Sequence, residues 1–168
     1  LTLRFPEGVT AVLSVEANPY FRTALEVSRA FPRICAVGSV PSDSANFYIN
    51  LSNLEAFSSL DPQPHPRLKE EAGENWAEIK VPVRTLDQLL AEHEFPKLDA
   101  LCIDTEGTER DVLASINLKK WAPRVIVVEC WDEGSLDDAL TPFGYRRIFR
   151  SVDNYGYSLQ TPPITENA

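Results

Sequence analysis

The chain has 168 residues, of which 43% are hydrophobic and 24% charged, and these proportions are typical of one globular domain with a sizeable core. Its 25 acidic and 16 basic residues give a net charge of −9, which argues against a protein that grips nucleic acid or an anionic membrane through phosphate groups. No apolar stretch approaches the roughly 20 residues that cross a bilayer, and the first residues lack the pattern of a signal peptide. We therefore expect a cytoplasmic protein without membrane insertion.

The first half of the chain begins as strand, acidic turn and helix. Three short strands are predicted, at 11–15, 34–37 and 46–51. The first ends at Glu16, and Tyr20–Phe31 has the helical spacing of apolar residues. A turn at 38–44 separates the other two strands. Residues 52–77 lack strong periodicity and include a proline-rich run at 61–67, so we predict a long lid or partner-binding loop there.

The second half alternates strands and helices more regularly. Strands are predicted at 78–83, 99–103 and 125–128, helices after Thr85, after Thr108 and at Ser135–Leu140, and an antiparallel pair at 145–149 and 157–159. We expect strand 99–103 to be covered on both faces, because it is almost wholly apolar. The alternation predicts an α/β fold with a doubly wound, mostly parallel sheet, which the antiparallel pair closes. Residues 1–160 would form this domain and residues 161–168 a frayed tail.

The cysteines and histidines limit the metal chemistry. The three cysteines are Cys35, Cys102 and Cys130, and each lies in or beside an apolar strand. Their odd number and wide spacing predict reduced thiols in the core rather than disulfides. Only two histidines are present, His65 and His93, which disfavours a zinc site, although carboxylates could still bind magnesium.

Residues 98–113 run a strand into an acidic turn and then into a helix. The turn contains Asp104, Glu106 and Glu109, and Gly107 supplies the tight bend before a helix capped by Thr108. Acids in the first turn of a helix, such as Glu109, are favoured by the helix dipole without any chemistry. Asp104 and Glu106 precede the helix, and like charges at close range are unfavourable. Their crowding therefore indicates a ligand site.

Acids close three of the predicted strands, namely Glu16, Asp104 and Glu129. The carboxyl ends of parallel strands share one edge, where open α/β sheets bind ligands. We therefore expect these acids and Glu106 to gather in one crevice. Catalysis, a magnesium site and simple helix capping all stay open as their purpose. Glu129 could equally form a salt bridge with an arginine.

The order and spacing of four motifs resemble those of the FkbM family of S-adenosylmethionine-dependent methyltransferases. The motifs are Val15-Glu16-Ala17-Asn18-Pro19, Thr85-Leu86-Asp87, Ile103-Asp104-Thr105-Glu106-Gly107-Thr108-Glu109 with Val112-Leu113, and Val127-Val128-Glu129. The third matches the family's KIDxEGxExxVL block except that Cys102 replaces the usual lysine. The resemblance covers nearly the whole chain and implies a Rossmann-like fold of the class I methyltransferases.

The same resemblance implies S-adenosylmethionine as the cofactor. The donor-binding residues would be Glu16, Asn18, Asp104 and Glu106. Glu16 would accept hydrogen bonds from both ribose hydroxyls, as an acid that ends such a strand can do. Asp104 would lie near the methionine end of the donor or near the acceptor, where negative charge favours an ammonium and a sulfonium. Alternatively, its carboxylate would cap the amides of the next helix.

The expected reaction is O-methylation of a small molecule or a glycan. Asp104 and His65 are the catalytic candidates, and acceptor contacts are expected from Ser58, Ser59, Glu109 and Glu129. A histidine with proline neighbours, such as His65, is more often exposed to solvent than catalytic. No metal and no nucleic acid is required.

The family's DxGANxGxxS loop, which follows its first strand, has no counterpart here. Leu1–Gly8 instead resembles the end of the helix after that loop. We therefore expect an N-terminally truncated fold, with unpaired sheet edges between the strands that end at Glu16 and Asp104. Two other functions stay open: a non-catalytic nucleotide-binding or interaction module, and a magnesium-dependent phosphoryl-transfer enzyme using Asp104, Glu106 and Glu129.

Overall fold

The computed structural model describes residues 11–26, 31–52, 58–61, 75–130 and 136–160, and the strands in these ranges form three sheets. The first sheet is the parallel pair of β1 (Leu13–Glu16) and β2 (Phe31–Ile34). The second contains β3 (Ala36–Val37), β4 (Ser42–Asn50), β5 (Ser58–Ser59) and β6 (Trp76–Arg84), in the order β3-β6-β4-β5. The third contains β7 (Ala100–Ile103), β8 (Val125–Glu129), β9 (Tyr145–Ser151) and β10 (Asn154–Leu159), in the order β7-β8-β10-β9.

The described helices are short. They are α1 (Arg22–Glu26), α2 (Leu86–Glu92), α3 (Glu109–Ala114), α4 (Leu118–Trp121) and α5 (Asp137–Leu140), with 3-10 turns at Pro19–Phe21 and Thr141–Phe143. None of these helices is long and apolar enough to cross a membrane.

The predicted α/β class is confirmed, but the predicted mostly parallel sheet is wrong, because two of the three described sheets mix parallel and antiparallel pairs. The parallel pairs are β1·β2, β3·β6 and β7·β8, and the antiparallel pairs are β4·β5, β4·β6, β8·β10 and β9·β10. β4 shows the reason, since Phe47 and Ile49 are buried while the residues before and between them are more exposed. Such alternation is typical of antiparallel strands with one solvated face.

The predicted helix over Tyr20–Phe31 is wrong at its end. Phe31 is the first residue of β2 and pairs with Leu13 of β1. Its ring lies 5.4 Å from that of His93 and 6.1 Å from that of Phe95. The strand pairing gives Phe31 an extended backbone, which helical spacing of apolar residues cannot reveal.

The predicted strand 99–103 appears as β7, but it is covered on one face only. Leu101 and Ile103 are buried, whereas Ala100 and Cys102 are exposed. Cys102 is therefore not a core thiol, while Cys35 and Cys130 are buried as predicted. The side chain of a small apolar residue tolerates either face, so composition alone could not decide.

The capping threonines differ from each other. Thr85 begins α2 with a complete capping box, because its Oγ1 accepts from Gln88 N at 3.1 Å and Gln88 Oε1 accepts from Thr85 N at 3.0 Å. Thr108 stands at the start of α3, but its side chain makes no capping hydrogen bond. The prediction of a side-chain cap is thus confirmed at Thr85 and wrong at Thr108, where Glu109 organises the turn instead.

Two apolar cores hold the sheets. The larger lies between the β7–β10 sheet and the helices, and it includes Leu90, Val112, Ile126, Leu140 and Tyr157. The smaller belongs to the second sheet and consists of Ala36, Phe47, Ile49, Val81 and Val83. The predicted loop at 52–77 contains β5 and the first residues of β6, and residues 53–57 and 62–74 lie outside the described ranges.

The predicted antiparallel pair near the C-terminus is confirmed as β9 and β10. Every residue of β9 after Tyr145 is exposed, including Ile148 and Phe149. Arg147 and Arg150 lie over the ring of Tyr155, with 5.8 and 5.5 Å between guanidinium carbon and ring centroid. β9 is one of the two outer strands of its sheet among the described strands.

Candidate functional site

A cleft of about 90 Å³ opens where the end of β1, strand β3, strand β5 and the turn after β7 meet. Its polar side is formed by Glu16, Ser58, Asp104, Thr105 and Thr108. Its apolar side includes Val37, Phe47 and Leu60, which belong to or pack against the two cores. The cleft therefore combines hydrogen-bonding groups with an apolar wall, as small-molecule sites commonly do.

Glu16 ends β1 and is half-buried at the cleft. Its Oε1 accepts a hydrogen bond from Asn18 N at 2.7 Å. Burial raises the pKa of the Glu16 carboxyl above its ordinary 4.5, the amides of Asn18 and Ala17 oppose this, and the charge of Asp104 raises it further. The carboxyl is thus held in a fixed place and is sensitive to charge across the cleft.

Asp104 follows β7 directly and lines the same cleft. Partial desolvation of its carboxyl raises the pKa above the ordinary 3.8, and the charge of Glu109 adds to this rise. The expected meeting of Glu16 and Asp104 is therefore found, although the two residues end strands of different sheets.

Glu106 and Glu129 do not line the cleft. Glu129 ends β8, which lies beyond β7, and it pairs with Asn154 of the antiparallel strand β10. Glu106 occupies the bend with φ 55°. The cleft lining thus contains two of the four acids, because Glu129 lies one strand farther from the cleft than Asp104, although β7 and β8 run parallel. Among the described residues no group of three or more His, Cys, Asp or Glu side chains could hold a metal ion.

Glu109 is buried beneath the acidic turn. Its Oε1 accepts three hydrogen bonds, from Thr105 N at 3.2 Å, Thr105 Oγ1 at 3.0 Å and Gly107 N at 2.9 Å. Gly107 has φ 108°, which glycine adopts without strain. Acceptor binding by Glu109 stays a prediction, whereas these contacts give it a role in shaping the turn that carries Asp104.

The two serines of β5 occupy different environments. Ser59 is buried, donates from Oγ to Glu106 O at 2.9 Å and accepts from Asp61 N at 3.1 Å. Ser58 lines the cleft, and its buried Oγ has no hydrogen-bond partner in the described part of the chain. Of the two predicted acceptor contacts, Ser58 is the one placed to meet a ligand, and Ser59 ties β5 to the acidic turn.

The remaining predicted site residues lie away from the cleft lining or outside the described ranges. Asn18 is buried, and its Oδ1 accepts from Tyr20 N at 3.1 Å, so it closes the turn after β1. His65 lies in the range 62–74, outside the described residues. Its catalytic role stays a prediction.

One contact near the cleft was missed from the sequence. Asp111 of α3 accepts from Ser39 N at 3.0 Å through Oδ2 and from Ser39 Oγ through Oδ1. The sequence suggested only a helix-dipole effect for an acid in this first turn. No local pattern links positions 39 and 111, so the signal was not available from the sequence.

The arrangement suits a ligand that donates hydrogen bonds or carries positive charge. Glu16 and Asp104 can accept from hydroxyl or amine groups, and Ser58 can donate to or accept from a ligand oxygen. The apolar side of the cleft can cover a ring or an aliphatic portion.

Comparison with known proteins adds one finding. The family model described as the methyltransferase FkbM domain matches residues 2–159. No match is found among curated proteins or among solved structures.

Proposed function

This chain belongs to the FkbM methyltransferase family, and we propose that its reaction transfers a methyl group from S-adenosylmethionine to an oxygen of a small molecule or glycan. The observation that supports this most directly is that Glu16 and Asp104 line one cleft at the ends of β1 and β7. Family membership supplies the reaction class, and the cleft supplies residues suited to the donor and the acceptor.

The acceptor capacity of Glu16 suits the two hydroxyls of a ribose. A carboxylate offers about four acceptor positions, and the amides of Asn18 and Ala17 engage this one. Positions therefore remain for a pair of ligand hydroxyls. The cleft of about 90 Å³ is smaller than the about 300–1,000 Å³ of pockets for drug-sized ligands. The described residues would thus hold one part of the donor.

Asp104 is suited to the end of the donor that carries the transferred methyl group. When bound, S-adenosylmethionine supplies a methyl group activated by a positively charged sulfur, and a nearby carboxylate favours that charge. Because its pKa is raised, the Asp104 carboxyl is also a better proton acceptor than an ordinary aspartate, and it could take the proton of an acceptor hydroxyl. Glu109 and Ser59 hold the turn that carries Asp104, so the Asp104 carboxylate would keep a fixed position relative to the acceptor and the donor. Methyl transfer depends on such alignment of the reacting groups.

Binding of the donor is tested by calorimetry with the whole chain. We expect wild type to bind S-adenosylmethionine and Glu16→Gln to bind it about tenfold or more weakly, because hydrogen bonds to a charged group contribute about 1.5–3 kcal/mol. Glu26→Gln is the matched control, since Glu26 lies on the exposed side of α1. Equal affinities of wild type and Glu16→Gln would contradict the proposed donor site.

The transfer step is tested separately, with methyl-labelled donor and a panel of sugars and small alcohols. Asp104→Asn should lower the rate without abolishing donor binding, and Asp99→Asn, at the other end of the same strand, should leave both unchanged. Donor binding without transfer to any acceptor would favour a non-catalytic module. Stabilisation by magnesium without any effect of the donor would favour the phosphoryl-transfer alternative.

A further inference from the structure

The separation of Glu16 and Asp104 is not set by strand pairing. β1 pairs with β2, β7 pairs with β8, and no ladder joins β1 to β7 among the described strands. A donor that touches both acids needs them at a fixed distance. Some other connection between the two sides of the cleft must therefore supply this distance.

The side of the cleft that contains Glu16 is anchored to the second sheet. Cys35 N donates to Glu16 O at 3.1 Å, and Cys35 leads directly into β3. β3 pairs with β6, and Gly38 N, just after β3, donates to Arg84 O at 3.1 Å. The end of β1 is thus linked rigidly to the turn that contains Gly38 and Ser39.

The side of the cleft that contains Asp104 is anchored through α3. This helix begins immediately after the acidic turn, and Glu109, its first residue, holds that turn with three hydrogen bonds. Asp111 lies on the same first turn of α3. A shift of the α3 backbone at Asp111 would therefore carry the acidic turn with it.

Two sets of contacts join the two sides: Ser59 of β5 donates to Glu106 O at 2.9 Å, and Ser39 bonds to Asp111 on the side of α3. The amide and hydroxyl of Ser39 donate to the two different oxygens of one carboxylate, and such paired bonds to a charged group are stronger and more directional than single ones. The approach leaves no room for a larger residue unless the carboxylate shifts, since a Cβ at Gly38 would lie 2.7 Å from Asp111 Oδ2. We call this set of contacts, formed by Gly38, Ser39 and Asp111, the clasp.

We propose that Asp111 is a positioning residue whose clasp with Ser39 sets the distance between Glu16 and Asp104, and thereby the fit of the donor. This inference rests on the proposed function for its ligand but on the hydrogen bonds of the described residues for its geometry. It assigns Asp111 no contact with the reacting groups.

Three variants open the clasp in different ways. Ser39→Ala removes one of the two hydrogen bonds, Asp111→Ala removes both, and Gly38→Ala pushes the carboxylate away without removing any polar group. The matched control is Asp138→Asn, which loosens another contact of α3, because Asp138 accepts from Arg110 Nη2 at 2.8 Å on the exposed side.

The first readout is donor affinity by calorimetry at a temperature well below the unfolding of every variant. We expect affinity to fall about threefold in Ser39→Ala and about tenfold or more in Asp111→Ala and Gly38→Ala, where tenfold corresponds to about 1.4 kcal/mol. The Asp138→Asn variant should bind as wild type does. A loss of equal size in Asp138→Asn would mean that loosening α3 at any point suffices, and it would overturn the proposal.

The second readout needs no donor. Carbon-13 NMR of the carboxyl groups follows the titration of Glu16 and Asp104, which sense burial and, for Glu16, the charge of Asp104. Opening the clasp should move both titrations toward ordinary values, because the cleft admits water and the acids separate. Unchanged titrations in folded Ser39→Ala and Gly38→Ala would overturn the clasp even if donor affinity fell.

The two proposals fail differently. Absence of donor binding in wild type would contradict the proposed function, while the titrations would still decide for or against the clasp. If Asp111→Ala does not fold, Ser39→Ala and Gly38→Ala carry the same comparison.

Discussion

Ser58 and Ser59 are neighbours in β5, but only Ser59 has its hydroxyl hydrogen-bonded among the described residues. Ser59→Ala should lower the free energy of unfolding by about 1–3 kcal/mol, because Glu106 O and Asp61 N lose a buried partner. Ser58→Ala, the matched control, should be neutral or slightly stabilising. Urea unfolding measures both, and equal losses would contradict the assignment of these contacts.

Ser58 should matter for ligand binding instead. If its hydroxyl meets a ligand in the cleft, Ser58→Ala should lower donor or acceptor affinity by about three- to tenfold, which corresponds to about 0.5–1.5 kcal/mol for one hydrogen bond. Calorimetry with the donor and steady-state kinetics with the acceptor separate the two ligands. An unchanged affinity for both would remove Ser58 from the site.

The raised pKa values of Glu16 and Asp104 make stability depend on pH. In the folded state these carboxyls bind protons more readily than the ordinary values of 4.5 and 3.8, so the folded chain binds more protons than the unfolded chain in that window. The free energy of unfolding should therefore fall as the pH rises from the ordinary values through the raised ones.

Variants that lack the Glu16 or the Asp104 carboxylate test whether the free energy of unfolding falls as the pH rises. Glu16→Gln and Asp104→Asn should be more stable than wild type at about pH 7, and the advantage should disappear at about pH 3, below the ordinary pKa values of both carboxyls. Urea unfolding at both pH values is the measurement, with Glu26→Gln as control. A variant that is less stable than wild type at the higher pH would reverse the sign and refute the prediction.

Glu109 should be important for stability because its buried Oε1 serves three donors. Glu109→Ala should cost at least about 2 kcal/mol, since the amides of Thr105 and Gly107 lose their partner. Glu109→Gln should cost less, because an amide oxygen can still accept. Thermal unfolding compares them, and a loss in Glu109→Gln as large as in Glu109→Ala would show that the charge rather than the hydrogen bonding is required.

The two helix caps give a further matched pair. Thr85→Ala should lower the free energy of unfolding by about 1 kcal/mol, the usual cost of losing an N-cap hydrogen bond. Thr108→Ala should cost clearly less, because Thr108 makes no such bond. Comparable losses in the two variants would contradict the difference between the caps.

The elements with strong local signals could be predicted from the sequence. The capping box at Thr85 and the acidic turn at Asp104 depend on residues close in the chain, and both are found where the pattern places them. Glu16 and Asp104 were expected together because each follows an apolar strand, and the cleft contains both.

What the sequence could not predict depends on contacts between distant residues. β4 pairs with β6 in antiparallel orientation, and although the alternation in β4 is typical of antiparallel strands, it does not identify β6 as the partner. Glu129 ends β8 and Asp104 follows β7, but β8 lies farther from the cleft. Ser39 and Asp111 each look like ordinary turn and helix-start residues, and only the fold makes them a pair.

The exposed outer strand β9 has a consequence for the behaviour of the protein in solution. An uncovered strand edge can template the addition of another chain, and charged side chains oppose this. Arg146, Arg147 and Arg150 would face like charges if two copies met through β9, whereas Ile148 and Phe149 would favour the contact. Because salt screens such repulsion over about 8–10 Å, association of two copies through β9 should increase with ionic strength.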